Sequence, residues 1–209
     1  MKLYDYKPAP NPRRARMFMA EKGIEIPTIQ VDLRAGEHLK PAYRAINPQC
    51  VVPYLVLEDG SGIGEVVAIW RYLEETHPTL PLLGADAKDK AIVAMWQHRM
   101  EFDGFLAVAE AFRNSTPGLK GRALSGPHDY EQIPALVERG KARALDFFAD
   151  VDKRLGESEF VAGPRFTVAD IDAFVTIEFA AWIKLAVPAE YRDVNRWHGA
   201  VSARPSAKV

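Results

Sequence analysis

The spacing of apolar residues changes period about eighty residues into the chain. Before that point, short strand-like and helix-like runs alternate. Met1–Tyr6 predicts a short opening strand. Arg13–Lys22 has helical spacing and stops at Gly23, a residue suited to a helix C-terminus. Glu25–Asp32, with Ile26, Ile29 and Val31, predicts a second strand. Glu37–Ile46 predicts a short helix, Val51–Leu57 a third strand, and Asp59-Gly60 a turn leading to a short strand at Ile63. Glu65–Thr76 predicts a helix with Ala68, Ile69, Tyr72 and Leu73 on one side. The order β-α-β-α-β-β-α implies a small α/β unit, with helices over a mixed sheet.

His77–Gly84 contains two prolines and a glycine and predicts a linker. Strand signals almost vanish beyond it. Ala85–Asn114 predicts a long helix, with Met95, Phe102, Phe105, Leu106, Ala109 and Phe112 at helical spacings. Pro117, Gly118, Gly121 and Gly126 break the pattern. It resumes over Tyr130–Leu155, Thr167–Leu185 and Ala189–Ser202. The expected organisation is an α/β domain over residues 1–80 and an all-helical domain over residues 86–209. The helical part is long enough to bury a core of its own.

Charge narrows the function. Lys and Arg number 27 against 28 Asp and Glu, and residues 1–80 hold ten of each sign. Neither half carries the basic footprint of a nucleic-acid binder. No apolar run approaches the ~18 residues of a membrane span. Met1–Tyr6 does not open a secretory signal, so a cytosolic protein is expected. One cysteine, Cys50, excludes an internal disulfide framework and a cysteine-built zinc site. The five histidines show no metal-ligand spacing, and there is no GxSxG nucleophile elbow. No metal is expected.

Four segments carry candidate chemistry. Asn11 lies in the proline-rich run Pro8–Pro12, at the mouth of the first helix. It can serve as an N-cap, or its amide can donate to an anion held at the positive end of the helix dipole. A thiolate is one such anion. Val52-Pro53 opens the third strand, where proline is tolerated, and sequence alone leaves its isomer open. Gly60-Ser61-Gly62-Ile63-Gly64 resembles a phosphate loop but has neither GxGxxG spacing nor GK[ST], so a hairpin turn explains it better. Thr167 with Asp170 predicts a capping box, and Phe166 with Ile171 a hydrophobic staple. Trp70, Trp96, Trp182 and Trp197 are expected to be packing residues.

The ordered set of these segments resembles a bacterial cytosolic glutathione transferase. The likeness rests on Lys2-Leu3-Tyr4-Asp5, Ala9–Arg16 running into Met17–Ile24, and Ile46-Asn47-Pro48 ahead of Val52-Pro53-Tyr54-Leu55. Glu65–Ile69 with Tyr72-Leu73, the linker and Phe166–Ile171 complete it. The resemblance implies a thioredoxin-like N-terminal domain that binds glutathione, a helical domain that supplies the acceptor pocket, and a homodimer. It implies that Asn11 stabilises the glutathione thiolate, and that Val52, beside a cis Pro53, pairs its backbone with the cysteinyl unit. Glu65 would meet the γ-glutamyl ammonium and the Val66 N–H the γ-glutamyl carboxylate. His38 and Lys40 are placed near the glycyl carboxylate. Val66 stands where the family commonly has Ser, which removes a bond to a charged group worth about 1.5–3 kcal/mol.

The implied activity is attack of the thiolate on a small hydrophobic electrophile, with Arg99, Glu101 or Phe102 as candidate contacts. Reduction of disulfides by glutathione and glutathione-dependent isomerisation stay open. So does a non-catalytic ligand-binding or partner-binding role.

Overall fold

The computed structural model describes residues 1–209. Its N-terminal part is a four-stranded mixed sheet with strands β1 (Lys2–Asp5), β2 (Thr28–Gln30), β3 (Tyr54–Val56) and β4 (Gly62–Ile63), in the spatial order β2-β1-β3-β4. β1 runs parallel to β2 and antiparallel to β3, with Leu3 opposite Thr28 on one side and Leu55 on the other. β3 and β4 form the expected hairpin, with Ser61 N–H donating to the Asp59 carboxylate at 2.8 Å in the turn.

Helices α1 (Pro10–Glu21) and α3 (Val66–Thr76) bury Met17, Phe18, Ile69, Trp70 and Leu73. A single turn, α2 (Pro41–Arg44), lies between β2 and β3. Gly23 takes φ 64° after α1 and ends it as expected. The second strand is shorter than predicted. Only Thr28–Gln30 pair, all three exposed at the sheet edge, while Ile26 and Val31 are buried on either side.

The remainder is helical: α4 (Ala87–Arg99), α5 (Leu106–Ser115), α6 (Pro134–Glu157), α7 (Val168–Ala180) and α8 (Arg192–Ser202). The predicted long helix Ala85–Asn114 is α4 and α5 joined by a π-helical segment, Met100–Phe105. Inserting wide turns rotates the helix face, so Glu101 and Phe105 both point to the first domain and to α7. Gly104 lets Phe147 of α6 pack against this segment, since a Cβ there would lie 2.5 Å from the Phe147 ring. α6 starts at Pro134, later than Tyr130, because Tyr130 is used in a loop bridge to Arg122.

The Thr167–Asp170 capping box forms at α7. Asp170 accepts from Thr167 N–H, Val161 N–H and Trp197 Nε1. Burial pushes the Asp170 carboxyl up to about 6 against these donors. One continuous apolar cluster runs from Leu3 and Phe18 through Trp70 to Phe148, Phe174 and Trp197, so both parts share a core. No helix is long and apolar enough to cross a membrane.

Candidate functional site

A cleft of about 670 Å³ opens where the strand edge faces the loop between α5 and α6. Asn11, Val52, Pro53, Glu65 and Val66 all line it, although up to 55 positions separate them. Lys40 does not. It is exposed, in extended backbone ahead of Pro41, and it caps α2 on the outside. His38 lines the cleft instead. Its Nδ1 is buried without a hydrogen-bond partner. Burial, then the nearby Arg122 and Arg113 cations, push its pKa below the ordinary histidine value, so it is neutral at neutral pH.

Asn11 is not the N-cap. Ala9 holds that position, with Pro10 the first helical residue and Asn11 the second. Prolines at 10 and 12 leave the Asn11 N–H as the one free backbone donor of the opening turn, because the Arg13 N–H is already bonded to Ala9 O. The side-chain amide therefore carries the donor chemistry at this helix mouth. Its orientation is fixed, since Asn11 Oδ1 accepts from Arg14 Nη2 at 2.6 Å. With oxygen committed to Arg14, Nδ2 is left as the free donor of a side chain that lines the cleft.

Arg14 in turn is buried in an ionic cluster that joins the two parts of the chain. It contacts Asp172 of α7 at 2.8 Å and Glu101 of the π segment at 3.1 Å, and Gln97 donates to both carboxylates. Arg14 also lies 4.4 Å from the Phe105 ring centroid. Burial opposes the Arg14 charge, but Asp172 and Glu101 outweigh it and raise its pKa. One cation is shared by two carboxylates, so a surplus negative charge remains. Asp172, fully buried, is pushed up to about 6 by that burial, with Glu101 adding to the rise and Arg14 opposing it.

The Val52–Pro53 bond is cis. Tyr43 Oη and Asn47 Nδ2 both donate to Val51 O, at 2.7 and 2.9 Å, which pins the chain one residue earlier. Burial pushes the Tyr43 hydroxyl up to about 12, so it stays a donor. Val52 itself forms no backbone hydrogen bond within the chain. Val52 lines the cleft two residues ahead of β3, so its N–H and C=O are left without a partner in the chain at the cleft wall. Glu65 takes φ 60°, a strained conformation for a residue with a Cβ. That turn leaves Glu65 exposed at the cleft wall, with Val66, the first residue of α3 and so a source of N–H groups without helical partners, lining the same space.

A second, apolar cavity of about 660 Å³ adjoins the first and shares Asn11, Val52, Arg34 and Arg113 with it. Phe105, Phe112, Phe179 and Trp182 form its wall, with ring centroids 5.3–5.5 Å apart along the cluster. Trp182 was expected to be packing. It is half exposed and lines the cavity, because α7 ends at Ala180 and the turn after it presents the ring. Arg99, Glu101 and Phe102 do not line it. Glu101 is held by Arg14, Arg99 stacks over Trp96 on another face, and Phe102 is half exposed beside His98. No group of three or more His, Cys, Asp and Glu is placed to hold a metal ion.

Two family domains match this architecture. Residues 9–76 match the glutathione S-transferase N-terminal domain, and residues 120–205 the glutathione S-transferase C-terminal domain. The chain belongs to the glutathione S-transferase family. It is 34% identical to glutathione S-transferase 2 of Saccharomyces cerevisiae over 100% of this chain and 88% of that protein. It is 38% identical to the maleylacetoacetate isomerase of Pseudomonas aeruginosa over 82% of this chain and 77% of that protein. A solved glutathione S-transferase domain-containing protein of Marinobacter aquaeolei superimposes with a TM-score of 0.90 and 38% identity, covering 99% of each chain. The mixed sheet with its helical partner is thus this family's thioredoxin-like domain and C-terminal helical domain.

Proposed function

We propose that this transferase binds glutathione extended along the first cleft and delivers its thiolate to small hydrophobic electrophiles in the second. The observation that carries this reading is the unpaired Val52 N–H and C=O between Asn11 and Glu65. An unpaired edge recognises an extended peptide by strand addition. The cysteinyl unit pairs with Val52, and its sulfur then lies toward Asn11, where the two cavities meet. The γ-glutamyl ammonium meets Glu65, and its carboxylate meets the Val66 N–H at the α3 mouth. His38 and Arg122 close the far end of the cleft for the glycyl carboxylate, in place of Lys40.

The reaction needs a thiolate at neutral pH, and a free thiol titrates near 8.5. The Asn11 Nδ2 donor, held by Arg14 and helped by the α1 dipole, stabilises the thiolate over the thiol. The sulfur then attacks the electrophile lying on Phe112, Phe179 and Trp182. Reduced glutathione is the cytosolic thiol pool, and cytoplasm is the location proposed. Met95, Phe102 and Leu106, all exposed on α4, the π segment and α5, support pairing of two copies of the chain as a homodimer.

Asn11→Ala tests the reading. Loss of one hydrogen bond to a charged sulfur is worth about 1.5–3 kcal/mol, so turnover of a generic nitroaryl halide falls about 10- to 100-fold. The kinetic thiol pKa rises with it, and loss of the Asn11–Arg14 hydrogen bond lowers the thermal midpoint by about 3–12 °C without unfolding the chain at assay temperature. Glutathione binding by the wild-type chain without turnover of any electrophile would instead leave a ligand-binding protein. Unchanged kinetics in Asn11→Ala would refute the role of the amide.

A further inference from the structure

The charge pattern of the apolar cavity says more about its substrate than its aromatic wall does. Among the residues lining it, Arg34 and Arg113 are the charged ones, and no carboxylate joins them. Both also line the glutathione cleft, so they stand at the junction of the two. Arg113 sits behind the loop. Its Nε donates to Ala123 O at 3.0 Å, and Nη2 donates to Leu124 O at 2.9 Å and to Arg122 O. These are neutral acceptors, and they leave the charge uncompensated. Arg34 is exposed on the loop after β2. Asp32 fixes that loop by accepting from the Arg34 and Ala35 backbone N–H groups at 2.8 and 3.0 Å. The Arg34 guanidinium makes no hydrogen bond or ion pair within the chain, and Arg34 lines both cavities.

Glutathione accounts for Arg113, whose charge lies near His38 and Arg122, but not for Arg34. On the proposed reading, its ammonium goes to Glu65, one carboxylate to the α3 mouth and the other to His38 and Arg122. An anion is still missing at the junction, within one ring's reach of the sulfur. We infer that the electrophile supplies it, and that the preferred acceptors are aromatic or hydrophobic electrophiles carrying a carboxylate or comparable acidic group. Planar guanidinium groups recognise carboxylates through paired N–H donors. The body of such a substrate rests on Phe112, Phe179 and Trp182 while its acid faces Arg34. The inference rests on the transferase reading above and adds the charge of the acceptor.

A matched pair of acceptors tests it: chlorodinitrobenzoate, and its neutral methyl ester with the same ring and leaving group. In each, the thiolate sulfur supplies the electron pair of the new S–C bond. Chloride leaves with the pair of the broken C–Cl bond, and the thiol proton passes to solvent. Each kcat/KM is divided by the uncatalysed rate with glutathione, which removes the difference in intrinsic reactivity. The wild-type chain favours the benzoate about five- to tenfold, the range between an exposed ion pair and one charge-assisted hydrogen bond. The preference shrinks with added salt.

Arg34→Gln abolishes the preference and leaves the ester unchanged. It is chosen over Arg113 because Arg113 holds the backbone of residues 122–124. A wild-type chain that turns over the ester as well as or better than the benzoate overturns the charge inference and leaves the transferase reading standing. So does an Arg34→Gln chain that keeps the preference. A chain that turns over neither acceptor overturns both.

Discussion

Replacing Arg14 by Met removes the cation that Asp172 and Glu101 share. Asp172 is fully buried, and Glu101 is 28% exposed at its side chain. Met fills much of the arginine's volume, so the loss is electrostatic more than steric. Removing one partner of a buried pair costs about 3–5 kcal/mol, because an uncompensated charge stays behind. Surface pairs in this chain, such as Arg139–Glu110, are worth a fraction of that. For a chain of this size, 3–5 kcal/mol lowers the thermal midpoint by about 6–20 °C.

The loss also depends on pH, and its sign follows from Asp172. That carboxyl is raised to about 6, so the folded state binds more protons than the unfolded state between the ordinary carboxylate range and about 6. The stability it contributes is full below that window and is lost as pH rises through about 6. Without Arg14 its pKa moves higher still. The midpoint of Arg14→Met therefore falls furthest below wild type at about pH 8, and the gap narrows at about pH 5, where Asp172 carries a proton in both proteins. Differential scanning fluorimetry at the two pH values reads this directly. A shift under about 2 °C, or an equal shift at both pH values, would refute the account of Arg14 as a buried counter-ion.

Two further substitutions probe separate links. Glu65→Gln removes the charge opposite the γ-glutamyl ammonium and raises the KM for glutathione about tenfold, the lower end for a charged hydrogen bond at an exposed site; initial rates against glutathione concentration check this. Gly140→Ala gains about 1 kcal/mol of helix propensity. Its new Cβ, however, would lie 2.6 Å from Ala107 O and 2.8 Å from Ala111 N, both backbone atoms of the packed helix pair α5–α6. Overpacking of about 1–3 kcal/mol or more then wins, and the thermal midpoint falls; a rise would show that the two helices separate freely.

Elements that depend on local pattern were legible in the sequence. The β3–β4 turn, the Gly23 terminus, the capping box at Thr167 and the helices of the second domain are set by residues within a few positions of one another. Departures arose where tertiary packing overrides local preference. The apolar periodicity of Ala85–Asn114 is continuous, so nothing in it marks the π segment. That segment exists because Gly104 admits the Phe147 ring and because Glu101 is drawn to Arg14, 87 positions away. Likewise the strand pattern of Glu25–Asp32 reports burial of Ile26 and Val31, which sit beside the paired stretch and not within it.

The candidate site divides along the same line. Asn11, Val52, Glu65 and Val66 were named through the resemblance to the transferase family, and each lies at or close to the start of a helix or strand, where backbone groups are left unpaired. The residues that hold them could not be found that way. Arg14 reads as one basic residue among three in Arg13-Arg14-Ala15-Arg16, and only the structure shows it buried, with its guanidinium split between Asn11 and two carboxylates of the other domain. Trp182 reads as a helical packing residue, yet the helix stops before it. Arg34 carries no signal at all, because its importance is a guanidinium that no side chain of the fold pairs with; Asp32 beside it is committed to the loop's backbone N–H groups. An acceptor pocket is a surface where side chains from distant segments meet without contacting each other. No spacing rule can encode it, and its specificity resides in the charges that the fold leaves unpaired.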